Sequence, residues 1–310
     1  MENENQTIVA QFVFLHFTCL PNLEAMLFVL FLIIYILSLM GNLLIIIIVV
    51  MDSHLQTAMY FFICNLSMAE VWYATVTVPK MLENLLSEKR TISIPGCIAQ
   101  YYFFFAFGTI ELFILTVMGY DRYVAICNPL RYSTIMNSTT CRNVAIMCWL
   151  VGFMCPILSS SMLAQISFCS PNRINHFFCD AGQIFHLACT DTSIIQTVGY
   201  SLSSVIVMAS LLFILISYGQ IIITILKMSS AAARRKMFST CASHLSVVTI
   251  YFGTLIFMYV RPAVKYKSNA NKIVAVFYSV ITPLLNPMIY TLRNKDVKEA
   301  FKKNIIRNSL

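Results

Sequence analysis

Charged residues are scarce in this chain. Asp, Glu, Lys and Arg make up 11% of its 310 residues, while apolar residues make up 59%. Soluble domains carry about a quarter charged residues, because a surface in contact with water is built from them. A chain with so few needs a solvent other than water around most of its surface. The composition therefore excludes an ordinary soluble domain and favours a membrane protein.

Motifs of the common enzyme classes are missing as well. The sequence has no His-Glu-x-x-His motif, no glycine-rich phosphate loop and no Gly-x-Ser-x-Gly turn. The net charge is +8, but the basic residues form no stripe with interleaved aromatic side chains. We therefore predict no enzymatic activity, no cofactor and no nucleic-acid partner.

The first twenty residues lack the features of a cleavable signal peptide. They contain Glu2 and Glu4, no Lys or Arg, and no apolar core that ends in small residues. We therefore expect the first long apolar segment to act as the insertion signal.

Seven apolar segments are long enough to cross a membrane. A helix rises 1.5 Å per residue, so about 20 apolar residues cross roughly 30 Å of hydrocarbon. The predicted fold is an all-α bundle of seven transmembrane helices at 24–292, between an extracellular N-terminus (1–23) and a cytoplasmic tail (293–310). Spans one to seven are predicted at 24–50, 57–82, 98–120, 143–163, 195–226, 237–260 and 271–292.

The distribution of Lys and Arg predicts the orientation. With the N-terminus outside, thirteen of these residues fall in the inner segments and seven in the outer ones, as the positive-inside rule favours. The Asn5-Gln6-Thr7 sequon then lies on the outer side, where Asn5 can be glycosylated.

The tail after span seven has an amphipathic pattern. Val297, Phe301 and Ile305 share one helical face, and lysines flank it. We predict a short eighth helix on the anionic inner leaflet of the membrane. The alternative is a frayed polar tail.

Polar side chains inside the spans need a partner or a function, because lipid offers them none. Glu70, Glu111, Asn42 and Asn286 fall near mid-membrane. Two carboxylates close together in low dielectric cannot both ionise alone, so either one is protonated or a cation lies between them. The equally weighted alternative is a polar cluster that fixes helix packing. A lone His244 in span six is more often a hydrogen-bonding packing residue than a metal ligand.

The end of span three carries a long motif, MGYDRYVAICNPLRY, from Met118 to Tyr132. It resembles the MAYDRYVAICNPLRY signature of vertebrate odorant (olfactory) receptors, with Gly119 in place of alanine. Further segments resemble the same family, in order along the chain. They are Gly41-Asn42, MYFF (59–62), VPKML (78–82), Ser217-Tyr218, KMFSTCASHL (236–245) and PLLNPMIYTLRN (283–294).

This resemblance implies a rhodopsin-like G-protein-coupled receptor. Its expected partners are a small volatile odorant, membrane lipid and a stimulatory, olfactory-type heterotrimeric G protein that raises cAMP. The expected location is the plasma membrane of olfactory cilia. In such receptors the arginine that matches Arg122 is held beside Asp121 in the inactive state and swings toward the G protein on activation. The residues predicted to form the switch are Asp121, Arg122, Tyr123, Tyr218, His244, Asn286, Pro287 and Tyr290.

The resemblance also implies a ligand pocket among spans three, five, six and seven, near the outer third. No acidic side chain lies at the level of residues 104–108, where an amine receptor would carry one, so a neutral and mostly apolar ligand is expected. The predicted lining residues are Phe104, Phe105, Gly108, Thr109, Leu202, Ser203, Ile206, Phe252, Leu255, Tyr259, Val276 and Ser279.

Four of the outer cysteines can form disulfides in three ways. The resemblance implies the pair Cys97–Cys179, which leaves Cys169–Cys189 within the loop. Cys19 is an odd fifth outer cysteine, and we expect it to be free.

Two positions depart from the family pattern. The chain has Tyr251-Phe252-Gly253 where the family usually has Phe-Tyr-Gly, and Ala58 where proline is usual. Moving a hydroxyl by one position on a helix turns it by about 100°. We therefore do not expect the tyrosine hydroxyl that the family pattern places in the middle of span six to lie in its usual position.

A channel or transporter and a structural membrane protein are the competing hypotheses. A pore needs a continuous polar path, whereas Glu70 and Glu111 stand almost alone in the spans. A ligand-evoked cAMP signal that requires the stimulatory G protein distinguishes a receptor from both.

Overall fold

A computed structural model describes residues 9–17, 21–260 and 269–293. Within them, seven helical stretches are long and apolar enough to cross a membrane. This confirms the predicted seven-helix membrane fold. The helices are α1 (Pro21–Met51), α2 (Ala58–Leu86), α3 (Ile94–Cys127), α4 (Tyr132–Ile135), α5 (Ser138–Met154), α6 (Ile157–Ala164), α7 (Ala181–Phe185), α8 (Ser193–Leu226), α9 (Ala231–Leu255), α10 (Asn269–Val276) and α11 (Thr282–Arg293).

Three spans consist of more than one helical piece. Span four is α5 followed by α6, and span six is α9 extended by a π-helical turn at Ile256–Val260. Span seven is α10, a π-helical turn at Phe277–Ile281, and α11. Spans one, two, three and five are the single helices α1, α2, α3 and α8.

Span three extends beyond its predicted range at both ends. Its first turn is capped by Ser93, whose hydroxyl accepts a hydrogen bond from the Gly96 amide at 3.2 Å. Its last turns pass the charged pair Asp121 and Arg122 and end at Cys127. The predicted span ended where the apolar run meets Asp121, but the helix continues through the charged residues to Cys127.

Span four is bent at Pro156. The sequence predicts one continuous helix there, but α5 ends at Met154 and α6 starts at Ile157. A proline has no N–H for the helical ladder, and its ring displaces the preceding turn. The helical hydrogen bonding of span four is therefore interrupted in its outer half.

Gly152, just before this bend, brings span four close to span three. A Cβ atom at this position would clash with the side chain of Ile110 and lie 3.2 Å from the Ala106 carbonyl oxygen. Span three also packs against spans two and five and contacts span six. It is thus the helix on which the bundle is assembled.

A small sheet, which the sequence analysis did not predict, covers part of the outer face. Strand β1 (Gln11–Phe14) lies between β2 (Thr91–Ser93) and β3 (Arg173–Ile174), antiparallel to the first and parallel to the second. Its alternate side chains Phe12 and Phe14 are buried in a second apolar core, distinct from that of the bundle.

A buried ion pair ties the N-terminal segment to this face. Arg90 donates two hydrogen bonds to the carboxylate of Glu24, at 2.8 and 2.7 Å. The same carboxylate accepts the Phe17 amide at 3.2 Å and lies 3.3 Å from His16. Bidentate geometry fixes both partners, so the segment before span one has a defined position.

Two disulfides close the outer loops. Cys97 at the start of span three is bonded to Cys179, and Cys169 to Cys189. These are the two pairs that the family resemblance implies. Cys19, the sequon at Asn5 and the predicted amphipathic helix of the tail lie outside the described residues.

We predict that Gly152→Ala destabilises the protein by roughly 1–3 kcal/mol, because the added methyl overpacks the contact with span three. Gly219→Ala is the matched control, since a Cβ atom there meets no atom within 4 Å. That change should stabilise span five by roughly 0.5–1 kcal/mol, as expected for replacing a helical glycine. Thermal unfolding in lipid nanodiscs measures both, and equal midpoints would contradict the close packing at Gly152.

We predict that non-reducing peptide mapping recovers the linked pairs Cys97–Cys179 and Cys169–Cys189. Cys97→Ser should lose surface expression, since removal of a native disulfide costs about 2–5 kcal/mol. Cys64→Ser, a change at a free cysteine, serves as the control and should reach the surface. Recovery of Cys97 linked to Cys169 or Cys189 would overturn the assignment.

Candidate ligand cavity and cytoplasmic switch

A cavity of about 120 Å³ lies in the outer half of the bundle. Spans three, four, five and six form most of its wall, with Tyr73 from span two and α7 of the outer loop. Eight of the twelve predicted ligand residues line it. They are Phe104, Phe105, Gly108, Thr109, Leu202, Ser203, Ile206 and Leu255.

The other predicted ligand residues do not line this cavity. Phe252 is buried in the helix packing, and the hydroxyl of Ser279 donates to the Ala275 carbonyl at 2.7 Å. Val276 is half-buried on span seven, which the cavity does not reach among the described residues. The side chain of Tyr259 is not described. A role for these four in ligand binding stays a prediction.

Span four contributes a wall that the sequence did not suggest. Its lining residues follow the bend, with Pro156 and Leu158 at one level and Ser159 and Met162 further out. A proline inside a predicted span was the available signal, because it marks a place where a helix departs from close packing.

The Tyr251-Phe252 pair, which departs from the family pattern, places a tyrosine at the floor of the cavity. Tyr251 lines the cavity and donates a hydrogen bond to the Gly108 carbonyl of span three. Phe252, one position further, points into the core. The hydroxyl that the family pattern places at position 252 is thus carried by Tyr251 in this chain. It links span six to span three beside the cavity.

The cavity offers a ligand few polar groups. Thr109 donates to the Phe105 carbonyl at 2.7 Å, and Gln196 donates to Thr192 at 2.7 Å. Ser203 has no hydrogen-bond partner among the described residues, so its hydroxyl is available. No Asp, Glu, Lys, Arg or His is found among the described lining residues. The cavity therefore suits a neutral molecule with one polar atom.

The outer loop forms a fixed roof. Asp180 caps α7 by accepting the Gly182 amide at 3.0 Å, and burial raises the pKa of Asp180 to about 6. Burial lowers the pKa of His176 to about 3, so its ring is neutral at pH 7. The Cys179 amide donates to Gln100 of span three at 2.9 Å. Together with the disulfides, these contacts hold the roof on the bundle.

At the cytoplasmic end, Asp121 holds two partners. Arg122 donates to its Oδ2 at 2.6 Å, and Tyr132 donates to its Oδ1 at 2.8 Å. Asp121 is fully buried. Burial, and then the negative charge of Asp121, raise the pKa of Tyr132, which keeps its phenol protonated as a donor. The ion pair with Asp121 restrains the arginine that the family resemblance assigns to the switch, and the Tyr132 hydrogen bond holds the carboxylate in place.

Tyr218 and His244 join three spans just above this pair. His244 Nε2 lies 3.1 Å from the Leu115 carbonyl, and its Nδ1 lies 2.8 Å from the Tyr218 hydroxyl. A carbonyl only accepts, so Nε2 carries the hydrogen, and in the neutral ring Nδ1 accepts from Tyr218. His244 is thus a packing residue that bonds on both sides, one of the two interpretations that the sequence allows.

The mid-membrane polar residues also meet. Asn286 donates to Glu70, and Asn42 donates to the Pro283 carbonyl at 2.9 Å. Spans one, two and seven are thereby linked, as the packing interpretation requires. Glu111 Oε1 has no partner among the described residues. No group of three or more His, Cys, Asp or Glu placed to hold a metal occurs in that part of the chain, and the cation between the two glutamates stays a prediction.

The remaining switch residues lie around these contacts. Pro287 packs against Gly41 of span one, where an added Cβ would lie 3.3 Å from the proline ring. The Tyr290 hydroxyl is buried with no partner in the described structure. Tyr123 is half-buried, with its ring centroid 6.0 Å from that of Tyr120. The switch residues therefore form no single cluster, but a series along the inner half of the bundle.

Comparison with known proteins shows the family to which the chain belongs. A family model described as olfactory receptor matches residues 31–308. The chain is 48% identical to human olfactory receptor 6N1 over 307 residues, which covers 99% of this chain and 98% of that protein. It is 46% identical to human olfactory receptor 5I1, covering 97% and 96%. It is 46% identical to mouse olfactory receptor 5AP2, covering 98% and 96%. At this identity over nearly the whole length, the chain belongs to the olfactory receptor family.

Proposed function

We propose that this protein is an odorant receptor that binds small, mostly apolar volatile molecules in the outer cavity and activates a stimulatory heterotrimeric G protein, which raises cAMP. The observation that carries the proposal is the neutral cavity of about 120 Å³ beside spans three, five and six. The spans and the family support a multi-pass protein of the plasma membrane. The extracellular N-terminus, a glycan at Asn5 and residence in olfactory cilia belong to the proposal.

The size of the cavity limits the ligand. An apolar cavity of about 150 Å³ holds one benzene molecule, so a space of about 120 Å³ suits a comparably small compound unless side chains move. With about a dozen heavy atoms at most, such a ligand reaches roughly micromolar affinity. Aldehydes, ketones, esters, alcohols and small aromatics fit these limits.

Span three provides the mechanical link from the cavity to the G protein. Leu112 lines the cavity, and the Leu115 carbonyl, one turn further in, bonds His244 of span six. Arg122 follows two turns later, held by Asp121. A ligand that shifts span six against span three acts on the Tyr251–Gly108 contact directly and on His244 through the same helix. The two states need to differ by only a few kcal/mol for a ligand to shift their populations.

We expect Ser203→Ala to raise the half-maximal concentration of an oxygenated agonist about three- to tenfold, since one neutral hydrogen bond contributes roughly 0.5–1.5 kcal/mol. The agonist is first found by screening neutral volatile aldehydes, ketones, esters and alcohols with a cAMP reporter. Ser201→Ala, on an exposed face of the same helix outside the cavity, is the control and should respond normally. A permanently charged amine as the best agonist would refute this account of the cavity.

We expect Arg122→Ala to abolish odorant-evoked cAMP while surface staining stays near normal, because the arginine is the element that engages the G protein. Asp121→Asn should raise basal cAMP, since it weakens the restraint on Arg122. Tyr132→Phe should raise it less, as it removes one of the three hydrogen bonds to the carboxylate and leaves the two from Arg122. Arg142→Ala, an exposed change on span four, is the control. Normal signalling by surface-expressed Arg122→Ala would refute the coupling role but leave the fold untouched.

A further inference from the structure

The wall of the cavity between spans four and five is one side chain thick. Leu158, Val198 and Leu202 line the cavity, yet their exposed fractions are 56%, 45% and 45%. About half of each of these side chains is therefore not covered by any other described part of the protein. All three lie within the spans, so the bilayer is the surrounding medium.

The course of the two helices explains why this seam is open. Pro156 interrupts span four between α5 and α6, and α6 and α8 each pack on span three more than on each other. Gly199 of α8 also lines the cavity, and a Cβ atom there would meet no atom within 4 Å. Neither helix supplies atoms to close the gap.

The outer side of the cavity, unlike this side wall, is closed by packed residues. Ala181 and Phe185 of α7 line its roof and are almost fully buried. Phe178 packs on Phe104 with ring centroids 4.6 Å apart, and the Cys97–Cys179 disulfide holds the loop to span three. Among the described residues, the roof is therefore tightly packed where the side wall is thin.

We propose that small apolar molecules enter the cavity from the bilayer, through the seam of Leu158, Val198, Gly199 and Leu202. This inference rests on the proposed function, because it supplies the route by which a ligand reaches that cavity. A membrane concentrates an apolar solute about fourfold for each buried methylene, so the bilayer presents such molecules at high local concentration. The seam is aliphatic on both sides, so a solute crosses it without contact with water.

A labelling experiment that needs no odorant tests this route. The receptor carries Thr109→Cys as a target inside the cavity and Cys155→Ser to remove the native thiol that lines it. It is held in phosphatidylcholine nanodiscs and exposed either to N-octylmaleimide, which partitions into lipid, or to a sulfonated maleimide, which stays in water. Peptide mass spectrometry measures the rate of labelling at position 109, relative to the rate of each reagent with free cysteine.

Two matched pairs of variants test the seam itself. Val198→Trp should fill it, whereas Val205→Trp makes the same change two turns along the same helix, on a bilayer-facing residue outside the cavity. Leu158→Ala should widen the seam, whereas Leu150→Ala, equally exposed on span four, should not. We expect N-octylmaleimide to label position 109 faster than the sulfonated reagent. Val198→Trp should slow N-octylmaleimide about tenfold, the effect of roughly 1.4 kcal/mol of added barrier, and Leu158→Ala should accelerate it.

The proposal is overturned if the sulfonated reagent labels position 109 as fast as N-octylmaleimide, since that result requires entry from water. It is also overturned if both variants at the seam behave like their controls. The use of Leu158→Ala keeps the test decisive should Val198→Trp fail to fold. Because no odorant is involved, failure of this route leaves the proposed function standing. A failed odorant screen would not alter the labelling rates.

Discussion

Hydrocarbon offers a polar group no hydrogen-bond partner, and the rest of this structure follows from that constraint. Backbone groups within the membrane bond mainly inside their own helix, which is why the chain crosses as helices and not as open strands. Most polar side chains there find a partner within the bundle or bond their own helix, although Glu111 and Tyr290 each keep a buried oxygen with no partner in the described structure. Asn42 and Asn286 reach across to spans seven and two, and His244 bonds on both of its nitrogens. The sheet that the structure describes lies beyond the ends of the spans, where water can satisfy its edges.

The same constraint makes the polar contacts of span three informative. Three of them lie at successive depths: Gly108 with Tyr251, Leu115 with His244, and Asp121 with Arg122 and Tyr132. The first two use backbone carbonyls of span three, which the side chains of span six reach because the two helices lie close together there. Span six meets span three through these two hydrogen bonds. A relative movement of the two helices therefore has to break them or exchange them for others, which favours discrete states over continuous deformation.

Much of the fold could be predicted because lipid leaves a strong signal in composition. The number of spans follows from apolar length alone, and the cytoplasmic end of span three was misjudged only because Asp121 interrupts the apolar run before the helix ends. The outer sheet could not be predicted, since Gln11–Phe14 is a short segment whose partners lie about 80 and 160 residues away. Nothing local to Phe12 or Arg173 indicates that pairing. The position of β1 in the sheet depends on outer loops that the two disulfides hold in place.

The cavity was predictable on spans three and five but not on span four, and the difference has a physical cause. Residues at one depth on neighbouring helices face each other when the helices are straight, so the depth of Phe104 or Ser203 sufficed to place them. Pro156 breaks that relation, because it bends span four by an amount that packing decides and not the sequence nearby. The same bend separates α6 from α8 and leaves Leu158 and Val198 as a thin wall. Pro156 thus gives span four a part in lining the cavity and leaves the wall between spans four and five thin. Leu158 and Val198 lie within the spans, so lipid and not water lies beyond this part of the wall.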